Sequence, residues 1–75
     1  MITKIGTLRL DLGEIISYYP TEYAIYKQKM VAGNYVAFFF RGAPDIVRYP
    51  FETIEDRNNF LNILDEQMKA RVLED

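Results

Sequence analysis

Cysteine, histidine and tryptophan are all missing from this chain of 75 residues. Without cysteine there is no disulfide and no thiolate metal site. Without histidine the commonest general base and the commonest transition-metal ligand are gone. The four glycines, Gly6, Gly13, Gly33 and Gly42, stand singly, so no phosphate-cradling loop is present. No apolar run approaches the roughly 20 residues of a membrane span. The start, MITKIGTLRLDL, has charges where a signal peptide has a continuous apolar stretch. These absences predict a cytoplasmic protein that is not an enzyme and carries no catalytic, metal or cofactor site.

The length allows one domain, residues 1–75, and leaves it short of core. Small chains usually need a disulfide, a metal or a second subunit to hold them. Of these, oligomerisation stays open. The net charge of −2 offers no pull on long nucleic acid. The charge is unevenly spread. Residues 1–50 carry six basic and four acidic side chains, and residues 51–75 carry three basic and seven acidic. A solvated helix face accounts for the acidic end.

Periodicity predicts strands first and one helix last. In TLRLDL (7–12), leucines alternate with Thr7, Arg9 and Asp11, the pattern of a half-buried strand. Leu12 to Ile16 also suits a single helical turn. IISYY (15–19) is β-branched and aromatic, with Pro20 ending the strand or placing it at an edge. EYAIYKQKM (22–30) reads as a third strand, and the Gly-Asn pair of VAGN (31–34) as a tight hairpin. YVAFFFR (35–41) is the most apolar strand, GAPD (42–45) is a turn, and DIVRYPF (45–51) is the last strand, at an edge because of Pro50. Thr53 then caps a helix over about 53–73, with Glu52, Glu55 and Asp56 at its positive end and Lys69 and Arg71 at the other. Ile54, Leu61, Leu64, Met68 and Val72 recur at helical spacing beside Phe60. The class is therefore α+β: an antiparallel meander of four to five strands, over about 5–51, with the C-terminal amphipathic helix packed on one face.

One helix covers one face of a sheet, yet YVAFFFR is apolar on both. The expected packing puts Val36, Phe38, Phe40, Val47 and Phe51 under the helix with Leu8 and Leu10. Tyr23, Ile25, Tyr35 and Phe39 then lie on the open face. A monomer seldom exposes so large an aromatic patch. Either the sheet curls on itself, or a second molecule covers it, a symmetric dimer being the commonest arrangement.

Chemistry is sparse. Ser17 lacks the glycines of a nucleophile elbow. Glu55/Asp56 and Asp65/Glu66 are helix neighbours, which do not face each other. Lys27, Lys29, Arg41 and Arg48 interleave with tyrosines on the strands, a combination suited to a nucleotide-like anion. Packed aromatics with basic side chains lying over them explain the same pattern.

The stretch RYPFETIEDRNNFLNILDEQM, residues 48–68, resembles the closing strand and helix of pleckstrin-homology-like domains and of small bacterial and phage β-meander proteins. The resemblance covers about a third of the chain. It implies a strand feeding a capped helix and brings no binding residues with it.

The expectation is a small non-enzymatic protein-interaction module that self-associates or docks on a partner through its aromatic face. One alternative is a binder of a small anionic ligand at a sheet or subunit junction. Another is an acidic phage or bacterial inhibitor of a basic partner protein. The residues singled out are Tyr23, Ile25, Lys27, Lys29, Tyr35, Phe39, Arg41 and Arg48.

Overall fold

The computed structural model describes residues 2–6 and 8–74, with side chains described as far as Lys69. Five strands precede one helix: β1 (Ile2–Ile5), β2 (Leu8–Asp11), β3 (Ile15–Tyr26), β4 (Lys29–Phe40), β5 (Val47–Phe51) and α1 (Ile54–Glu74). The α+β class is as expected. The strands divide between two antiparallel sheets, β1–β2 and β3–β4–β5.

β1 extends the strand region back from residue 5 to Ile2 and pairs with β2, Ile5 opposite Leu8. Its sequence, ITKI, is too short for its alternation to stand out. Thr7 lies outside the described residues. Leu12 does not continue β2 but opens a 3-10 turn, Leu12–Glu14, in which Gly13 N–H donates to Asp11 Oδ1 at 3.0 Å. That turn drops Leu12 into the core.

Two segments expected to be separate strands form one. β3 runs twelve residues through Pro20. It survives the proline because it is an edge strand, where a missing N–H on the outer side breaks no ladder bond. The expected hairpin at VAGN is also displaced. The chain reverses at Lys27–Gln28, whose φ values of 48° and 66° are both positive, as in the tight two-residue turns whose twist matches a hairpin. Gly33 lies inside β4, where a Cβ would come within 2.9 Å of the Tyr35 ring. The glycine thus marks a close approach of a ring to the backbone rather than a turn. Beside it the register shifts: Thr21 faces Tyr35, but Tyr23 faces Ala32. One extra residue of β4 sits there, which bends and twists a ribbon.

The core joins both sheets to the helix. Ile5, Leu10, Leu12, Ile15, Val36, Phe38, Phe60 and Leu64 are its buried members. Phe38 meets Phe60 edge-on, with centroids 6.1 Å apart, and stacks on Phe40 at 5.5 Å. Phe51 packs on Phe60 at 5.0 Å. Val36, Phe38, Phe40, Phe51, Leu8 and Leu10 therefore lie in or against the core as expected. Val47 does not, being 48% exposed. It begins β5, an edge strand, opposite Phe38.

Thr53 caps α1, its Oγ1 accepting from Asp56 N–H at 3.0 Å. The buried face of the helix carries Arg57, Phe60 and Leu64, with Leu61 and Met68 partly covered. Ile54, expected in that stripe, is exposed. Arg57 takes the place one turn on. Its long stem can cover apolar surface, and its guanidinium donates to the Thr21 carbonyl and the Asn58 Oδ1. Val72 and Arg71, the last of the expected helix pattern, lie beyond the described side chains.

Candidate interaction surface

Antiparallel partners share a face, so the register assigns the open side of the large sheet. Tyr19, Ala37 and Arg48 form one row across β3, β4 and β5, and Thr21, Tyr35 and Pro50 form the next. Phe39, opposite Ser17, lies on the same side. Tyr35, Phe39 and Arg48 are half-buried, while Ala37 is fully covered among its larger neighbours. The three consecutive phenylalanines are thus split: Phe38 and Phe40 toward the helix, Phe39 away from it.

Past the register shift, β3 and β4 leave the body. β5 reaches only to Asn34 of β4, so residues 22–33 form a two-stranded arm. No residue of the arm is buried, and only Ala24 is even half-covered. Tyr23 (47%), Ile25 (61%), Tyr26 (65%), Met30 (71%) and Val31 (42%) are exposed on it. Neighbours such as Ile25 and Tyr26 point to opposite sides of a strand; both faces of the arm are open and apolar. Lys27 stands at the tip with its Nζ 5.4 Å from the Tyr26 ring centroid, and Lys29 begins the return strand.

Tyr23, Ile25, Lys27 and Lys29 therefore share the arm, and Tyr35, Phe39 and Arg48 share the open face of the sheet. Arg41 belongs to neither. It lies just beyond the far end of β4, where its N–H donates to the Glu14 carbonyl at 2.7 Å. Twelve positions of extended chain separate it from Lys29, roughly 40 Å, so the four basic residues do not converge. A cavity of about 430 Å³ does gather Ile25, Tyr35 and Arg48, together with Ala24, Tyr26, Val31, Ile46 and Pro50. Met30, Val31 and Ile46 were not singled out from the sequence, and Tyr26 figured there only as one of the tyrosines interleaved with the basic residues. With the turn set at VAGN, Tyr26 and Met30 read as one face of a single strand; with it at Lys27–Gln28 they flank a ribbon tip.

A second cleft, about 360 Å³, runs between α1 and β3 and holds Tyr18 and Asp65. Tyr18 Oη donates to Asp65 Oδ1 at 2.5 Å. Burial, then this bond, then the charge of Asp65 push the phenol up to about 12. It stays protonated at neutral pH and acts as a donor. Among the described residues no three acidic side chains come together as a metal site. Among the described residues no helix is long and apolar enough to cross a membrane.

Comparison with protein-family models, curated proteins and solved structures finds no match to this chain.

Proposed function

We propose that this protein is a non-enzymatic interaction module that self-associates through its β3–β4 arm and the adjoining aromatic face. The observation behind it is the arm itself. A two-stranded ribbon alone is marginal in water, and this one exposes five large apolar side chains on both faces. A surface of that kind is stabilised when another molecule covers it. A chain without cysteine, suited to a reducing compartment, fits a cytoplasmic homodimer. Light scattering across a dilution series tests the reading. The expected mass is twice 8.8 kDa, falling toward 8.8 kDa for Ile25→Lys. A wild-type mass of 8.8 kDa at every concentration refutes it.

One observation favours a second reading, a small-ligand binder. The cavity of about 430 Å³ places Arg48 beside Tyr35, within the size range of small-molecule sites. A nucleotide-like anion would pair with Arg48 and stack on Tyr35. Thermal shift with a nucleotide panel tests it. No stabilisation by any member, or equal stabilisation of Arg48→Gln, removes this reading.

A further inference from the structure

A groove of about 480 Å³ separates α1 from β5 and the β1–β2 turn. Leu8, Phe51, Phe60 and Ile63 supply its apolar walls, and Glu52 and Asp56 stand at its rim. Ile63 is 47% exposed, and both acids are exposed. The arm has the complementary character: apolar flanks and a tip carrying Lys27 and Lys29. We infer that the arm of one copy docks in this groove of a second copy, with its lysines against Glu52 and Asp56. The inference rests on the self-association proposed above and names the surface that receives the arm.

Two arguments select a second copy as the occupant. The first is charge. The arm, residues 22–33, holds two lysines and one acid, Glu22, whereas residues 51–75 hold seven acids and three bases. The basic end of the molecule suits its own acidic end, and two copies can present both pairs at once. The second is area. At the exposures above, the five apolar side chains of one arm offer roughly 500 Å². The side chains lie on two faces, so seating one face of each arm in a groove, and counting both sides, removes roughly 1,000 Å² from water, at the lower bound of a specific interface. Each copy has one arm and one groove, so a two-fold axis lets the contacts close. A one-way contact would leave a free arm and a free groove at the ends of an open chain.

Charge reversal tests the placement. Lys27→Glu with Lys29→Glu gives a copy whose arm and groove are both acidic. Glu52→Lys with Asp56→Lys gives one whose arm and groove are both basic. Each alone is expected to dimerise about tenfold or more weakly than wild type, by like-charge opposition at both contacts. Mixed in equal amounts, they regain two opposite-charge contacts and are expected to return to twice 8.8 kDa. Circular dichroism of each variant checks that the fold is intact. If the second pair unfolds α1, Glu52→Gln with Asp56→Asn replaces it and is expected to weaken the dimer and flatten its salt dependence. A wild-type dimer that the arm variant leaves unchanged, or a mixture that stays monomeric, overturns the arm-in-groove contact while self-association stands. A wild-type monomer overturns both.

Discussion

Leu64→Ala probes the packing on which the whole surface argument depends. Leu64 is fully buried, in the cluster with Val36, Phe38 and Phe60. Removing its branched end loses apolar transfer energy and leaves a cavity that the flanking sheet only partly fills. Substitutions of this type destabilise by about 2–5 kcal/mol, and the complete burial argues for the middle of that range, roughly 3 kcal/mol. A domain of this length is stable by only about 4–11 kcal/mol, so one side chain removes a large share. With a guanidinium m-value of about 2 kcal/mol/M, the midpoint falls by roughly 1.5 M. Its neighbour Ile63 is 47% exposed, and Ile63→Ala should change stability by about 0.5 kcal/mol or less in the monomer. The assay is guanidinium unfolding followed by circular dichroism, at the lowest protein concentration that gives signal, so that the docked state does not protect Ile63. If Ile63→Ala destabilises as much as Leu64→Ala, α1 is rotated by about one residue from the packing described. The groove would then lose its exposed wall, and the docking argument would fail with it.

Two further outcomes follow from local geometry. Tyr18 has its phenol pushed up to about 12 from 10.0. A group whose folded value is raised adds stability that is complete below the unfolded value and lost as pH rises through the folded one. Wild type should therefore lose stability between about pH 10 and 12 more steeply than Tyr18→Phe, read by thermal unfolding at stepped pH; parallel curves would show that burial and the Asp65 bond together do not raise the phenol. Gln28 holds φ at 66°, where a side chain is strained and glycine is not. Gln28→Gly should raise stability by about 1 kcal/mol, whereas a loss of stability would mean that the turn is not at Lys27–Gln28.

The sequence by itself determined that the strands come first and one helix last, the cap at Thr53 and most of the core. These depend on contacts close in the chain or on strict alternation: leucines at every second position, acids in the first helical turn, helical spacing through Leu64 and Met68. It also determined that YVAFFFR would be apolar on both faces, because alternation alone divides Phe38 and Phe40 from Phe39. The place of the hairpin turn was decided by tertiary structure. Both Gly33–Asn34 and Lys27–Gln28 are possible reversals locally. Only the pairing of β3 with β4, which sets Ile15 against Phe40 and Tyr18 against Phe38, puts the turn at residues that adopt positive φ against their preference. The same pairing fused two segments across Pro20, since an edge position removes the penalty that a central strand would impose. It also gathered Ile25, Tyr35 and Arg48 at one cavity and left Arg41 at the far end of the sheet. Exposure of the arm is the last of these decisions. Tyr23 and Ile25 read as residues of an open sheet face; with Tyr26, Met30 and Val31 they stand instead on a two-stranded arm, because β5 pairs with β4 only as far as Asn34.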